Sequence, residues 1–474
     1  MPPRHQQNTV LEAAGGGHVA NCATDTRTSP NRGRFALTVS KTPVWENGCM
    51  TVRTAAAECS SRERSSVAER SPRERSSAAE LPDLASVPGR PFGIYIHVPF
   101  CATRCGYCDF NTYTPAELGG VNSGANPDGW LEALRAELGL AAARLSSPHR
   151  LGPHVRREVD TVFVGGGTPS LLGADGLGAV LDALRAQFTL ATDAEVTTEA
   201  NPESTSPQFF EQLRTAGFTR ISLGMQSVAP HVLAVLDRVH SPGRALDAAR
   251  EARGAGFDHV NLDLIYGTPG ESDDDLRRSV DAAIGAGVDH VSGYALVVED
   301  GTALARRVRR GEIAAPDDDV LAQRYELLDA RLAEAGFDWY EVSNWSRPGG
   351  ECRHNIGYWS GGEWWGAGPG AHGYVGTTRW WNVKHPNTYA RSLADGLLAV
   401  ADFERLDDAT RHVEDVMLGM RLREGLPLAL LSDGERARAE TVIDDGLVQT
   451  RRDRLVLTDR GRLLADAVVR TLLG

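Results

Sequence analysis

The chain has 474 residues, enough for one large domain and a smaller one, and a hydrophobic share of 41% suits a globular protein. A formal net charge of -13 argues against nucleic acid as the main partner. No apolar run reaches the ~18–20 residues of a membrane span, and no secretory leader is visible; a reducing cytoplasm is expected, with its cysteines as thiols instead of disulfides.

Residues 1–88 differ from the rest. Arg62-Glu63-Arg64-Ser65-Ser66-Val67-Ala68-Glu69 is echoed by Arg73-Glu74-Arg75-Ser76-Ser77-Ala78-Ala79-Glu80, and large aliphatics are few. Such a segment buries too little apolar surface to offset its chain entropy, so a disordered tail is expected. Gly15-Gly16-Gly17 and the isolated Cys22, Cys49 and Cys59 carry no motif, and Met50 offers a later translation start.

The stretch 95–110 reads Tyr-Ile-His-Val-Pro-Phe-Cys-Ala-Thr-Arg-Cys-Gly-Tyr-Cys-Asp-Phe. It sets Cys101, Cys105 and Cys108 in a Cys-x3-Cys-x2-Cys loop directly after a short apolar run. Thiolate is the metal ligand, and so short a loop lets three converge on one inorganic centre. Three ligands are one too few for a closed tetrahedral zinc or a fully capped cluster, which implies an open coordination position. A zinc site completed by a histidine, and three unrelated buried thiols, are the alternatives.

This loop resembles the radical S-adenosylmethionine (SAM) superfamily. The resemblance implies a 4Fe-4S cluster held at three irons by these cysteines, with the fourth iron chelating the amino and carboxylate groups of SAM. It also implies an electron donor, whose electron breaks a carbon–sulfur bond of the sulfonium to give a 5'-deoxyadenosyl radical.

From Gly93 onward β-branched runs alternate with amphipathic segments, predicting strands at 94–98, 161–164, 196–199, 220–225, 260–265, 291–295 and 339–342. Helices are expected at 175–187, 273–286 and 320–335. Four helical stretches end in Ala-Gly plus an apolar residue, at Gly217, Gly256, Gly287 and Gly336, as left-handed helix ends do. The fold class is therefore α/β: a partial parallel (β/α)6-type barrel, with an open doubly wound sheet as the alternative. The barrel is preferred because unusual residues follow several different strands.

Those residues are Gly165-Gly166-Gly167-Thr168, with no Lys-Ser/Thr to make it a phosphate loop, Glu199, Gln226, Arg238 and the mid-strand Asp263. Each alone suits a structural role as well. As a set, with Tyr294-Ala295, they resemble the branch that contains oxygen-independent coproporphyrinogen III oxidase and the HemW-type haem chaperones. That resemblance implies that Tyr95, Gly166, Gly167, Thr168, Glu199, Gln226, Arg238, Asp263 and Ala295 surround SAM, with Tyr107 near the adenine.

Phe110 discriminates within the branch. The oxidase carries a fourth cysteine two residues beyond the third, and here that position is phenylalanine. The chaperone branch also carries His-Asn-x-x-Tyr-Trp, matched by His354-Asn355-Ile356-Gly357-Tyr358-Trp359. The resemblance then implies haem as a ligand, held by His354, and an acceptor protein that receives it. Seven of the nine tryptophans lie between Trp339 and Trp381, a set able to clasp a flat porphyrin. An aromatic mini-core with His354 and His372 hydrogen-bonded structurally is the alternative, and His372 and Cys352 are weaker ligand candidates.

The expected division is 1–88 tail, 89–340 barrel, 341–403 aromatic-rich haem-motif region and 404–474 a small α+β, winged-helix-like C-terminal domain. In the last, 408–422 and 458–473 read as helices, and 446–457 as a hairpin whose arginines are mixed with Asp453, which disfavours DNA. The function expected is haem binding and transfer to an acceptor. Radical decarboxylation of coproporphyrinogen III propionates is the alternative, and no catalytic side chain is singled out.

Overall fold

The structure is a computed structural model, and it describes residues 44–46, 49–51, 80–87, 89–119, 126–146, 157–238 and 241–474. Strand and helix alternate through β1 (Phe92–Val98), α1 (Pro127–Leu145), β2 (Glu158–Gly166), α2 (Gly173–Gln187), β3 (Thr189–Ala200), α3 (Pro207–Ala216) and β4 (Arg220–Gln226). The series continues through α4 (Arg244–Gly254), β5 (His259–Tyr266), α5 (Asp273–Gly285), β6 (His290–Ala295) and α6 (Asp318–Glu334). β1 to β6 lie side by side in chain order, each neighbouring pair parallel. A doubly wound sheet reverses its strand order at a switch point. This one does not, so the (β/α)6 partial barrel stands.

The strands alternate as period two requires. Ile94, Ile96, Val162, Val164, Ile221, Leu223, Leu262 and Leu264 are buried in one continuous core. The opposite set, including Tyr95, His97, Glu195, Thr197, Arg220, Ser222, Asn261 and His290, is buried too but polar. Buried polar groups cost free energy unless satisfied, and several of these pair: Arg220 with Glu195 (3.1 Å), Ser222 with Asp263 (3.2 Å), Asn261 with His290 (2.7 Å). The four predicted helix ends hold, with φ of 106° at Gly217, 85° at Gly256, 78° at Gly287 and 81° at Gly336.

The boundary at residue 341 does not hold. β7 (Asp338–Glu341) and β8 (Asn344–Ser346) add antiparallel strands beyond β6. After α7 (Arg353–Trp359), β9 (Glu363–Ala367) pairs parallel with β1, and β10 (His372–Val375), β11 (Thr378–Asn382) and β12 (Val400–Arg405) continue antiparallel. The aromatic-rich segment thus adds strands on both sides of β1 to β6 in one 12-stranded sheet.

The boundary at residue 88 also moves. Leu81 is buried in the core, and Ser86 Oγ and the Val87 N–H donate to Glu363 (2.7 and 2.9 Å). Val44–Glu46 and Cys49–Thr51 form a short antiparallel pair; the rest of the expected tail lies outside the described residues.

The C-terminal unit has its own core around Val416, Met420, Leu426, Leu455, Val468 and Leu472. It comprises α8 (Asp408–Gly419), α9 (Asp433–Asp444) and a small antiparallel sheet of Leu426–Pro427, Val448–Arg451 and Arg454–Leu457. The helix expected over 458–473 is two, broken at Leu464. Arg462 ties the unit to Asp329 of α6 (2.6 and 2.9 Å).

Candidate cluster and cofactor site

β1 feeds straight into the cysteine loop, which closes on itself: Cys101 N–H donates to Tyr113 O (3.0 Å), and Tyr113 N–H to Pro99 O (2.7 Å). Gly106 N–H donates to Leu236 O (3.1 Å), and Leu304 N–H to Gly106 O (2.8 Å), so the loop is pinned at its middle. Asn111 holds its far end, donating to Pro369 O and Lys384 O (2.9 and 2.8 Å).

All three cysteines are free thiols, Cys101 buried and Cys105 and Cys108 half-buried. Thr168 Oγ1 donates to Cys101 Sγ (3.6 Å) and Arg238 Nη1 to Cys105 Sγ (3.3 Å), contacts that favour thiolate. Burial works the other way, pushing Cys101 up and Cys108 up to about 12, so a metal must displace protons to bind. Among the described residues no three His, Cys, Asp or Glu side chains converge to hold a single metal ion. A cluster takes each thiolate at a different iron.

The glycine loop lies flush against the cysteine loop. Gly167 N–H donates to Val98 O (2.8 Å) and Thr168 N–H to Phe100 O (2.7 Å). A Cβ on Gly167 would stand 2.5 Å from Phe100 O, and one on Gly166, at φ 109°, 2.5 Å from the His97 ring. Tyr95 OH lies 3.1 Å from His97 Nδ1, and His97 Nε2 3.0 Å from Asn111 O.

Glu199 ends β3 and accepts from Gly166 N–H (3.0 Å); burial, with Asp263 nearby, pushes its carboxyl up to about 8. Asp263 is also raised by burial, against hydrogen bonds from Asn261, Ser292 and Ser222 and the charge of Arg238. Gln226 has φ 68° and is buried, and its Oε1 meets no hydrogen-bond partner among the described residues. Arg238 Nη2 donates to Gly224 O (3.1 Å). Tyr107 packs with Val232, Leu236, Ile265 and Leu304, and Ala295 ends β6 beside Tyr266.

Nearly all of the expected SAM positions therefore sit at, or just beyond, the C-terminal ends of β1 to β6. Two desolvated carboxylates and an unpartnered amide oxygen suit a ligand with an ammonium, a sulfonium and ribose hydroxyls; the donor set fits the group. Glu199 makes a pH test. Its folded-state value lies above its unfolded one, so the stability it contributes is complete below about pH 4.5 and is lost as pH rises through about 8. Urea denaturation of the cluster-free chain should show this decline, and Glu199→Gln should flatten it.

His354 lies elsewhere. It stands on α7 against the N-terminal halves of β1 and β2, beside Gly93 and Thr161, with its ring 5.4 Å from Phe163. Both ring nitrogens are engaged, Nδ1 with Thr161 Oγ1 and Nε2 with Tyr358 OH (2.8 Å each), and burial lowers the imidazole to about 4. To ligate a haem iron His354 must give up one of these two partners, Thr161 or Tyr358. Cys352 is buried and donates to Glu195 (3.4 Å); His372 is buried and stacks on Trp381. The tryptophans do not form one clasp. Trp345, Trp365 and Trp380 belong to the main core, and Trp359 and Trp364 to a separate cluster with Tyr358 and Tyr374.

The chain matches the Radical SAM superfamily over residues 95–283 and the HemN C-terminal domain over 406–464. It is 72% identical over 395 residues to Heme chaperone HemW of Mycobacterium tuberculosis (strain ATCC 25618 / H37Rv), covering 83% of this chain and 98% of that one. The chain belongs to the HemW family of radical SAM proteins. A second relative, Heme chaperone HemW of Escherichia coli (strain K12), is 33% identical over 396 residues, 81% of this chain and 98% of its own. The solved structure of coproporphyrinogen III oxidase (HemN) from Escherichia coli superposes with a TM-score of 0.69 at 21% identity, covering 82% of this chain and 91% of that one. At that identity it shows the shared fold alone. Among the described residues of this HemW-family chain no helix is long and apolar enough to cross a membrane.

Sequence reasoning missed residues that hold the site in place. His97, two residues from Tyr95 on the same strand face, buttresses both the glycine loop and the cysteine loop. Its spacing from Tyr95 was the available signal. Glu195 and Arg220 gave none, because their pairing across strands is a tertiary event.

Proposed function

We infer that this chain is a haem chaperone: it binds haem, hands it to an acceptor protein, and carries a 4Fe-4S cluster on Cys101, Cys105 and Cys108 with SAM at the open iron. The observation that carries this is the 72% identity running through 98% of a relative named as a heme chaperone. Phe110, where the oxidase branch has sulfur, supports the same side. Glu199, Asp263 and Gln226 would orient the cofactor, Gly166 and Gly167 would let it approach the backbone, and Thr168 and Arg238 would tune the thiolates. When bound, cluster and cofactor together supply one-electron chemistry, fed by an electron donor. Free thiols throughout the site agree with a reducing, cytoplasmic setting.

The test is an anaerobic assay of the reconstituted chain with haem and coproporphyrinogen III side by side. The expected result is a haem spectrum, passage of haem to an added acceptor and no protoporphyrinogen. Decarboxylated product formed over many turnovers would overturn the chaperone reading. His354→Ala should weaken the Soret shift, and an unchanged shift removes that ligand.

A further inference from the structure

Glu137 is a fully buried carboxylate near the middle of α1. Its Oε2 accepts from Gly368 N–H (2.8 Å) and from the Tyr389 hydroxyl (2.5 Å), and its Oε1 from Asn382 Nδ2 (2.8 Å). All three donors are neutral, and burial outweighs them, pushing the carboxyl above its ordinary value. A buried acid with no cation beside it costs free energy, and an apolar side chain would fill the space without that cost. What the acid supplies is a grip on three elements at once: the loop after β9, the end of β11 and the helix Pro386–Ala394.

The grip closes on Gly368. While Glu137 takes its N–H, Asn382 Nδ2 donates to its carbonyl (2.9 Å), so the peptide groups on both sides of this residue are held. It belongs to Gly366-Ala367-Gly368-Pro369-Gly370, a glycine run outside the expected cofactor contacts. A Cβ on Gly368, at φ 103°, would stand 2.5 Å from His97 O, and one on Gly370, at φ 77°, 2.6 Å from Asn111 Nδ2. Only bare backbone lies this close, and it lies against the end of β1 and the far arm of the cysteine loop. Asn111, three positions after Cys108, directs its amide hydrogens at Pro369 O and Lys384 O, and Tyr113 OH reaches Asn111 Oδ1 and Lys384 O (3.1 and 3.3 Å). Tyr113 O in turn receives Cys101 N–H. An unbroken series of contacts thus runs from Glu137 to residues that flank Cys101 and Cys108.

We propose that Glu137 is a positioning residue for the cluster: from the buried face of α1 it locks the glycine loop 366–370, and through Asn111 that loop sets where Cys101 and Cys108 present their sulfurs. The proposal rests on the reading that Cys101, Cys105 and Cys108 hold a cluster, and adds what keeps those ligands in place. Groups behind a metal's ligands orient them, and losing one costs roughly 10–100-fold in metal affinity or activity.

The test uses the full chain reconstituted anaerobically with iron and sulfide. Glu137→Leu should take up as much iron as the parent, since all three cysteines remain, yet lose it to a ferrous chelator about tenfold faster, and the EPR signal of its reduced cluster should broaden as the sulfurs lose one fixed geometry. Glu137→Gln still accepts from Gly368 but not from all three donors, and should lose iron about threefold faster; it decides the matter if the leucine variant does not fold. Asn111→Ala should speed the loss as Glu137→Leu does, and the double variant no further, because both cut one series. Glu363→Gln is the comparison. That carboxylate is also buried and holds Arg157, Ser86 and Gly376 at the other end of β9, so its loss should lower stability in urea without changing iron release or the EPR signal. Parental release and signal in both Glu137 variants overturn the proposal, as does equal acceleration by Glu363→Gln, or a double variant whose effect is the product of the single ones. A parent chain that binds no iron overturns the cluster reading itself.

Discussion

Anaerobic reconstitution with iron and sulfide leaves the Cys101→Ala, Cys105→Ala, Cys108→Ala variant without iron, while the parent chain takes up about four irons per chain. The expectation follows from the loop itself. Its backbone is fixed by bonds from Cys101, Gly106 and Tyr113 that involve no sulfur, so the variant keeps the loop and loses only the ligands. Among the described residues no other His, Cys, Asp or Glu group is placed to bind a metal in their stead. Burial raises the Cys101 and Cys108 thiols, so reconstitution of the parent should release protons and slow as pH falls. Iron and sulfide bound stoichiometrically by the variant would refute the ligand assignment.

Much of the barrel is legible in the sequence because each βα unit announces itself locally. Apolar residues alternate along the strands, and Ala-Gly closes four of the six helices; Phe218, Phe257 and Phe337 then donate back to Leu213, Ala252 and Leu332 at 3.0, 3.3 and 3.0 Å. The cysteine, glycine and carboxylate positions are legible for the same reason: each follows its own strand, and parallel pairing brings them to one edge. What is not legible depends on pairing across long separations. Nothing near Trp364 signals that β9 joins β1, 271 residues away (364 minus 93). Without that pairing, 341–403 looks like a separate aromatic unit, and seven tryptophans look like one cluster. Residues 80–87 look like tail because their partners, Glu363 and Arg144, lie far along the chain. His354 shows a further limit. A motif names a residue; it does not say that Thr161 and Tyr358 already occupy both of its nitrogens.

Arg220→Met should destabilise the full chain by roughly 3–5 kcal/mol, the cost of leaving one member of a buried ion pair alone. Arg220 and Glu195 are both buried inside the barrel, with Nε to Oε2 at 3.1 Å. Burial pushes the Glu195 carboxyl up, yet Arg220 and the backbone N–H groups of His354 and Arg353 outweigh it and hold it below the usual range. A lowered carboxyl contributes stability above its unfolded value that is lost as pH falls through the folded one. Once Arg220 is gone, burial dominates and the sign reverses, so the stability of the variant should fall as pH rises from about 5 to 8. The pair also reaches the motif helix, since Glu195 accepts from the N–H groups of His354 (3.0 Å) and Arg353 (3.1 Å) and from Cys352 Sγ (3.4 Å). Arg220→Met should therefore loosen α7 and weaken haem uptake while leaving iron content unchanged. Replacing both members, Arg220→Met with Glu195→Leu, removes the unpaired charge and should recover stability without recovering haem affinity, because the anchor for α7 is still missing. Urea denaturation of the two variants between pH 5 and 8 decides the matter: a single variant that loses less than about 1 kcal/mol, or whose pH slope keeps the parent's sign, would show that this pair does not hold the floor of the barrel.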